Sequence, residues 1–263
     1  MTRQEFKKVC RGRRLCWGTV LLEYVTPMMV RTCARAGYAW LWIDNEHAQH
    51  SYETLYEAIR TAEDVGIASI VRVTSDDYAR IAQMLDMAPT GIIVPRVETP
   101  EQVRHIVDCA KYPPVGRRGF GMRASLFGAH KMNMRERAAD QMETRFLAVQ
   151  LESPRAVENI EKMIEVAEGQ LDGIFYGPAD YQMVIGAPDQ PNHPDVIAAA
   201  RRISSVSAKH NLSNGTPATS VETAKHWIDM GFNLITYKSD DQFLADAAYE
   251  GREQLRALEV GGR

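Results

Sequence analysis

The chain has no Cys-x-x-Cys pair among its 263 residues, and its four cysteines, Cys10, Cys16, Cys33 and Cys109, all lie in the first half. That pattern argues against a disulfide framework, and the expectation is reduced thiols in a cytoplasmic protein. Cys33 and Cys109 fall inside helix-like stretches, where packing is a better role than nucleophilic attack. No apolar stretch reaches the ~20 residues needed to span a bilayer. The opening run from Met1 to Lys8 is charged and lacks the apolar core of a secretion signal. Charge of one sign is not in excess either. The balance of 31 Lys and Arg against 34 Asp and Glu gives no footing to nucleic acid or to an acidic membrane surface. Linkers, repeats and low-complexity tracts are also missing, so residues 1–263 are expected to form one domain.

What is present is a regular alternation. Apolar runs at 16–21, 38–44, 68–73, 91–95, 146–152, 172–176, 211–215 and 232–237 read as strands. Amphipathic stretches at 25–36, 52–65, 77–88, 99–111, 154–168, 194–209, 219–230 and 240–257 read as helices. The strand runs are continuously apolar rather than alternating, as in parallel strands covered on both faces. Eight strand–helix units in a chain of this length predict an α/β fold, a single (βα)8 TIM barrel. Two segments break the rhythm: the long stretch from Tyr112 to about Gln141, and the turn-rich run Ile185 to Pro194. Loops of that first length are often functional.

Polar residues gather at the downstream ends of the apolar runs, which in such a barrel form one rim where active sites lie. Trp40 to Ile43 leads into Asp44, Asn45, Glu46 and His47, and Ala68 to Val71 ends at Arg72. Phe146 to Val149 leads into Gln150, Leu151 and Glu152, and Gly173 to Tyr176 leads into Gly177, Pro178, Ala179 and Asp180. Glu152 and Asp180 together suit a hard divalent cation, which takes carboxylate oxygens and leaves positions for substrate. Helix capping is the plainer role for each alone. His47 fits a general base at neutral pH, with Asp44 or Asp86 as the acid that orients it. A fixed guanidinium at Arg72 suits a carboxylate or a developing enolate oxygen, against the plainer role of a rim salt bridge. His47 and His50 have metal-ligand spacing but no third ligand nearby. Arg117, Arg118 and Arg123 form a basic loop suited to an anionic substrate, or to solvent.

At this point the residues resemble a family. The chain is similar to the metal-dependent (class II) pyruvate aldolases, the hydroxy-oxo-acid aldolase/citrate lyase family also called HpcH/HpaI. Five pieces carry the likeness: Ile43 to His47, Val71-Arg72-Val73, Tyr112-Pro113-Pro114 with Gly116 and Arg118 to Gly121, Val149 to Ser153, and Gly177 to Asp180. The resemblance implies a (βα)8 barrel that assembles as a homohexamer of paired subunits with exchanged C-terminal helices. It implies a divalent metal, Mg²⁺, Mn²⁺ or Co²⁺, held by Glu152 and Asp180 and chelated by a 2-oxo acid. Gln150 and the Ala179 backbone N–H would help hold that acid. His47 matches the family's base, Asp86 the acid behind it, and Arg72 the group that steadies the enolate. The implied reaction cleaves a 4-hydroxy-2-oxo acid to pyruvate and an aldehyde.

The chain also departs from the family pattern at Asn45, at Tyr181-Gln182 and across Leu212 to Pro217, all near the expected pocket. Decarboxylation of a 2-oxo acid and cleavage of an acyl-CoA ester use similar parts. Two readings use other machinery. Lys238, at the end of the last strand, could form a Schiff base, or the barrel could bind a 2-oxo acid without turning it over.

Overall fold

The computed structural model describes residues 1–121 and 132–261. Eight parallel strands close into a barrel in simple sequence order. They are β1 (Cys16–Leu21), β2 (Trp40–Asp44), β3 (Ala68–Arg72), β4 (Gly91–Val94), β5 (Phe146–Leu151), β6 (Gly173–Tyr176), β7 (Ser213–Ala218) and β8 (Leu234–Ser239). The helices among the described residues are α1 (Arg3–Arg11), α2 (Pro27–Arg35), α3 (Tyr52–Val65), α4 (Tyr78–Asp86), α5 (Pro100–Ala110), α6 (Met134–Thr144), α7 (Pro154–Val166), α8 (Pro178–Val184), α9 (Pro194–Lys209), α10 (Val221–Asp229) and α11 (Asp240–Gly261). The (βα)8 expectation therefore holds, and each strand lies within a few residues of its apolar run. Three helices were not read from the sequence: α1, α6 and α8. The second half of the presumed loop from Tyr112 is α6.

Two apolar layers hold the barrel. One lies between strands and outer helices, with Leu41, Val71, Ile92, Val149 and Ile174 facing Leu55, Ile81, Ile106 and Ile160. The other fills the interior with Trp40, Trp42, Ile70, Ile93, Phe146 and Phe175. Large rings there need small neighbours: a Cβ on Gly18 would meet the Trp40 ring at 2.5 Å, and one on Gly215 the Phe175 ring at 2.2 Å. Helix α1 closes the N-terminal end of the barrel. A capping box between Thr2 and Glu5 starts it, and Phe6 packs edge-on to Phe146 with ring centroids 5.3 Å apart. All four cysteines are free and buried. No described helix is long and apolar enough to cross a membrane.

Strand register sets up the rim. Asp44 pairs with Arg72 across β2 and β3. Leu151 pairs with Tyr176 across β5 and β6, and the Gly177 N–H continues the ladder to the Leu151 carbonyl at 3.1 Å. The residues just beyond these strands, Glu152 and Gly177, are thereby side by side.

Candidate active site

Arg72 is the hub of the rim. It is 7% exposed, its Nε donates to Asp44 Oδ1 at 2.9 Å, and its Nη2 donates to Asp44 Oδ2 at 2.5 Å. Its Nη1 stands 2.9 Å from Glu46 Oε2, and the guanidinium lies 5.2 Å from the Trp42 ring centroid. Burial opposes its charge, but the hydrogen bonds and charges of Asp44 and Glu46 outweigh that and raise its pKa. Glu46, which the sequence reading left without a role, is raised chiefly by burial despite Arg72 beside it. It also reaches His47, whose Nε2 is 3.9 Å away. The imidazole is largely exposed.

This differs from the expected orientation of His47. The Asp44 carboxylate is occupied by Arg72 and by the Glu46 backbone N–H at 2.9 Å, so the acid beside His47 is Glu46. Asp86 is further off. It ends α4, which runs away from the rim, and Arg118 Nη2 donates to it at 2.6 Å. The described residues show no hydrogen bond between Asp86 and His47, so a single chain does not bring that pair together. Arg118 is itself 3% exposed and stacked 4.9 Å from the Tyr112 ring centroid, a packed ion pair rather than a loop cation. Arg117 lies 3.4 Å from His105 Nδ1, and Arg123 falls outside the described residues.

Glu152 is placed by its neighbours on both sides. Ser153 caps α7, accepting from the Ala156 N–H at 3.2 Å, and donates to Glu98 Oε1 at 2.5 Å. A Cβ on Gly177 would come within 2.7 Å of Glu152 Cγ and 2.9 Å of Gln150 Nε2. Only glycine permits that approach. The Glu152 carboxyl is pushed up to about 7 by burial, then by the charges of Asp180 and Glu46. Asp180 sits in the first turn of α8, whose N-cap position is held by Gly177. Asp180 is therefore not the N-cap residue, although its charge suits a helix N-terminus.

These groups border two adjoining cavities. One, of about 360 Å³, is lined by Trp42, Asp44, His47, Arg72, Gln150, Ala179, Asp180 and Lys238, among others. The other, of about 420 Å³, is lined by Arg96, Glu98, Glu152, Ser153, Asp180, Met183 and Val184. Gln150 Oε1 and Glu152 Oε1 are buried without a hydrogen-bond partner. Oxygens left unpaired between two acids suit a hard divalent cation. Among the described residues no group of three or more His, Cys, Asp or Glu is placed to hold an ion, so the protein offers a carboxylate pair and leaves the remaining positions open.

The alternatives fare differently. Lys238 lines the first cavity, but its Nζ donates to Asp246 at 2.5 Å, and that bond raises its pKa. A Schiff-base lysine needs the opposite shift. His50 Nε2 is bound to the Leu22 carbonyl at 2.9 Å, which removes it from a histidine metal pair. The departures from the family pattern do not all face the pocket. Asn45 Oδ1 accepts the His50 N–H at 3.0 Å. Tyr181 packs edge-on against Tyr176 with ring centroids 5.7 Å apart, and Gln182 Nε2 donates to the Pro178 carbonyl at 2.9 Å.

A parallel barrel with a clamped arginine, a histidine and paired acids on its C-terminal rim defines a barrel enzyme acting on a small anion. The family model for HpcH/HpaI aldolase/citrate lyase matches residues 20–247. The 2-keto-3-deoxy-L-rhamnonate aldolase of Escherichia coli is 32% identical over 247 residues, 92% of this chain and 90% of that one. The hydroxypyruvate/pyruvate aldolase of Cupriavidus necator is 32% identical over 246 residues, 92% of this chain and 89% of that one. The crystal structure of an HpcH/HpaI aldolase from Desulfitobacterium hafniense superposes with a TM-score of 0.87 at 25% identity, covering 95% of this chain and 96% of that one. The chain belongs to the HpcH/HpaI aldolase/citrate lyase family.

Proposed function

We propose that the protein is a divalent-metal-dependent aldolase that cleaves a 4-hydroxy-2-oxo acid to pyruvate and an aldehyde. The observation that carries this reading is the convergence of His47, Arg72, Gln150 and Asp180 on one cavity of about 360 Å³. Glu152 and Asp180 would hold the metal, Mg²⁺, Mn²⁺ or Co²⁺, which when bound supplies Lewis acidity to the substrate's keto group. Gln150 and the Ala179 N–H orient the 2-oxo acid. The His47 imidazole takes the proton of the 4-hydroxyl as the C3–C4 bond breaks, and Glu46, 3.9 Å from its Nε2, favours the imidazolium that forms. Arg72 faces the oxygen on which negative charge grows. Because Asp44 and Glu46 already fix its plane, it meets that charge without reorganising.

The same reading extends to assembly and location. We place the protein in the cytoplasm as a homo-oligomer, a hexamer by family likeness, in which α11 is exchanged between otherwise single-domain subunits. Helix α11 leaves Leu244, Tyr249, Leu255 and Leu258 exposed, an apolar content that a second subunit would cover. Light scattering on the full chain and on a chain ending before α11 tests this: a monomeric full chain overturns it.

The catalytic reading is tested by pyruvate release from 4-hydroxy-2-oxo acids of several lengths and from oxaloacetate. Assays run before and after EDTA, and again with each metal restored. Loss with EDTA and recovery with metal is the expected result. Activity that survives EDTA and is trapped by borohydride with pyruvate would overturn it and move the chemistry to Lys238. Faster turnover of oxaloacetate than of any hydroxy acid would favour decarboxylation.

A further inference from the structure

His47 is carried by residues 45–51, which join β2 to α3 without regular structure. The imidazole is exposed, and its polar neighbour Glu46 stands 3.9 Å away, beyond hydrogen-bond length. Among the described residues no hydrogen bond holds the ring. Its aim at the cavity therefore depends on the backbone that carries it.

That backbone is fixed on both sides of His47. Upstream, the Asn45 N–H donates to the Arg72 carbonyl at 3.1 Å, and the Glu46 N–H donates to Asp44 Oδ1 at 2.9 Å. Downstream, the attachment is made by side chains. The Asn45 amide is buried, and its Oδ1 accepts the His50 N–H at 3.0 Å, closing the loop on itself. The His50 ring then reaches across to the loop after β1, with Nε2 2.9 Å from the Leu22 carbonyl. A carbonyl only accepts, so Nε2 carries the proton. Leu22 is a firm anchor. The carboxylate of Asp240, which is 2% exposed, accepts the N–H groups of Leu22 at 3.0 Å, Glu23 at 3.3 Å and Tyr24 at 2.6 Å. Leu22 also lines the cavity that His47 overlooks. Asn45, one of the departures from the family pattern, thus has a structural partner in His50.

We propose that Asn45 and His50 are positioning residues for the base. They latch the loop bearing His47 to the loop after β1, and so hold the imidazole where the 4-hydroxyl proton leaves. Neither residue touches the substrate. This rests on the reading of His47 as the base of an aldol cleavage.

Oxaloacetate supplies the control. Its decarboxylation passes the C3–C4 electron pair to the keto oxygen as CO₂ departs, which gives the same pyruvate enolate with no hydroxyl proton to remove. Steady-state kinetics with Mg²⁺ present compare cleavage of a 4-hydroxy-2-oxo acid with decarboxylation in the wild type, Asn45→Ala, His50→Leu and His50→Gln. Alanine removes the Asn45 acceptor without the backbone freedom of glycine, and glutamine returns an N–H donor for the Leu22 carbonyl. In Asn45→Ala and His50→Leu, kcat for cleavage should fall by about 10- to 100-fold, the scale of a misplaced catalytic group. KM and decarboxylation should keep their wild-type values, and His50→Gln should recover most of the cleavage rate. Backbone deuterium exchange read by mass spectrometry should be faster across residues 45–51 in the two impaired variants, with α3 protected as in the wild type.

Equal loss of cleavage and decarboxylation would make the pair general supports of the fold and overturn the proposal. Wild-type cleavage in both variants would also overturn it, as would a His50→Gln no better than His50→Leu. A wild type that decarboxylates oxaloacetate but cleaves no hydroxy acid would sink the aldolase reading instead. Exchange then decides the latch: faster exchange confined to residues 45–51 keeps it, and unchanged exchange removes it.

Discussion

Arg72 grips both carboxylate oxygens of Asp44, at 2.9 and 2.5 Å, beneath a cavity that His47 overlooks. The two residues are register partners on adjacent strands, both inward-facing at the same height. Replacing Asp44 by Asn should leave the guanidinium buried with half its fork unbalanced. The expected loss of unfolding free energy is ~3–5 kcal/mol, the scale of breaking one side of a buried pair. Turnover should fall with it while pyruvate still binds. Denaturant titration with single-turnover kinetics checks both, and unchanged stability would show that Glu46 alone suffices to hold Arg72.

Gly177→Ala is a test of close approach. The added methyl would lie 2.7 Å from Glu152 Cγ and 2.9 Å from Gln150 Nε2. One of the two must move, so metal affinity and turnover should drop, turnover by roughly 100-fold for a displacement near 1 Å. Circular dichroism should stay that of the wild type, because β6 and α8 on either side are unaltered. Normal kinetics in this variant would mean that Glu152 has slack and is not held for ligation.

On the proposed ligation by Glu152, metal binding is linked to pH. Its carboxyl is raised to about 7, and the ligating form is the carboxylate. Mn²⁺ affinity should therefore weaken as pH falls through about 7, while an ordinary carboxylate near 4.5 would leave it flat there. In Glu152→Gln both this dependence and metal-dependent turnover should be absent, and Asp180→Asn should also lose turnover. Manganese binding followed by electron paramagnetic resonance from pH 5 to 9 reads the effect without relying on activity.

Lys111 tests a cost far from the site. It is 4% exposed, and burial pulls its pKa down to about 8 from 10.5. A depressed folded-state value favours folding above the unfolded pKa, and that contribution is lost as pH falls through 8. At pH 7 the buried ammonium is a burden. Lys111→Met should stabilise the protein at pH 7 by on the order of 1–3 kcal/mol, with the gain fading between about pH 8 and 10.5. Asp172 keeps its partner Lys7 at 3.0 Å in the variant. Melting curves across that range check the sign.

The strands and the rim were legible in the sequence because both are local signals. A buried parallel strand is a continuous apolar run, and the first polar residue after it marks the rim. That placed Asp44, His47, Arg72, Gln150, Glu152 and Asp180 at one end of the barrel. The missed elements have weak local signals. Helix α8 has only seven residues, and α1 is short and largely charged, although its Thr2–Glu5 capping box was there to be read.

The sequence by itself determined the eight-fold alternation, the barrel and the end of it that bears the chemistry. Tertiary structure decided which polar groups meet. Asp44 met Arg72 rather than His47 because strand register and inward alternation align them. Asp86 fell away from the rim because α4 runs antiparallel to the strands and Asp86 is its last residue. Lys238 met Asp246 on the following helix, and His50 met the Leu22 carbonyl on the loop after β1. Periodicity is a property of near neighbours along the chain, whereas pairing depends on register, helix direction and the approach of segments distant in sequence.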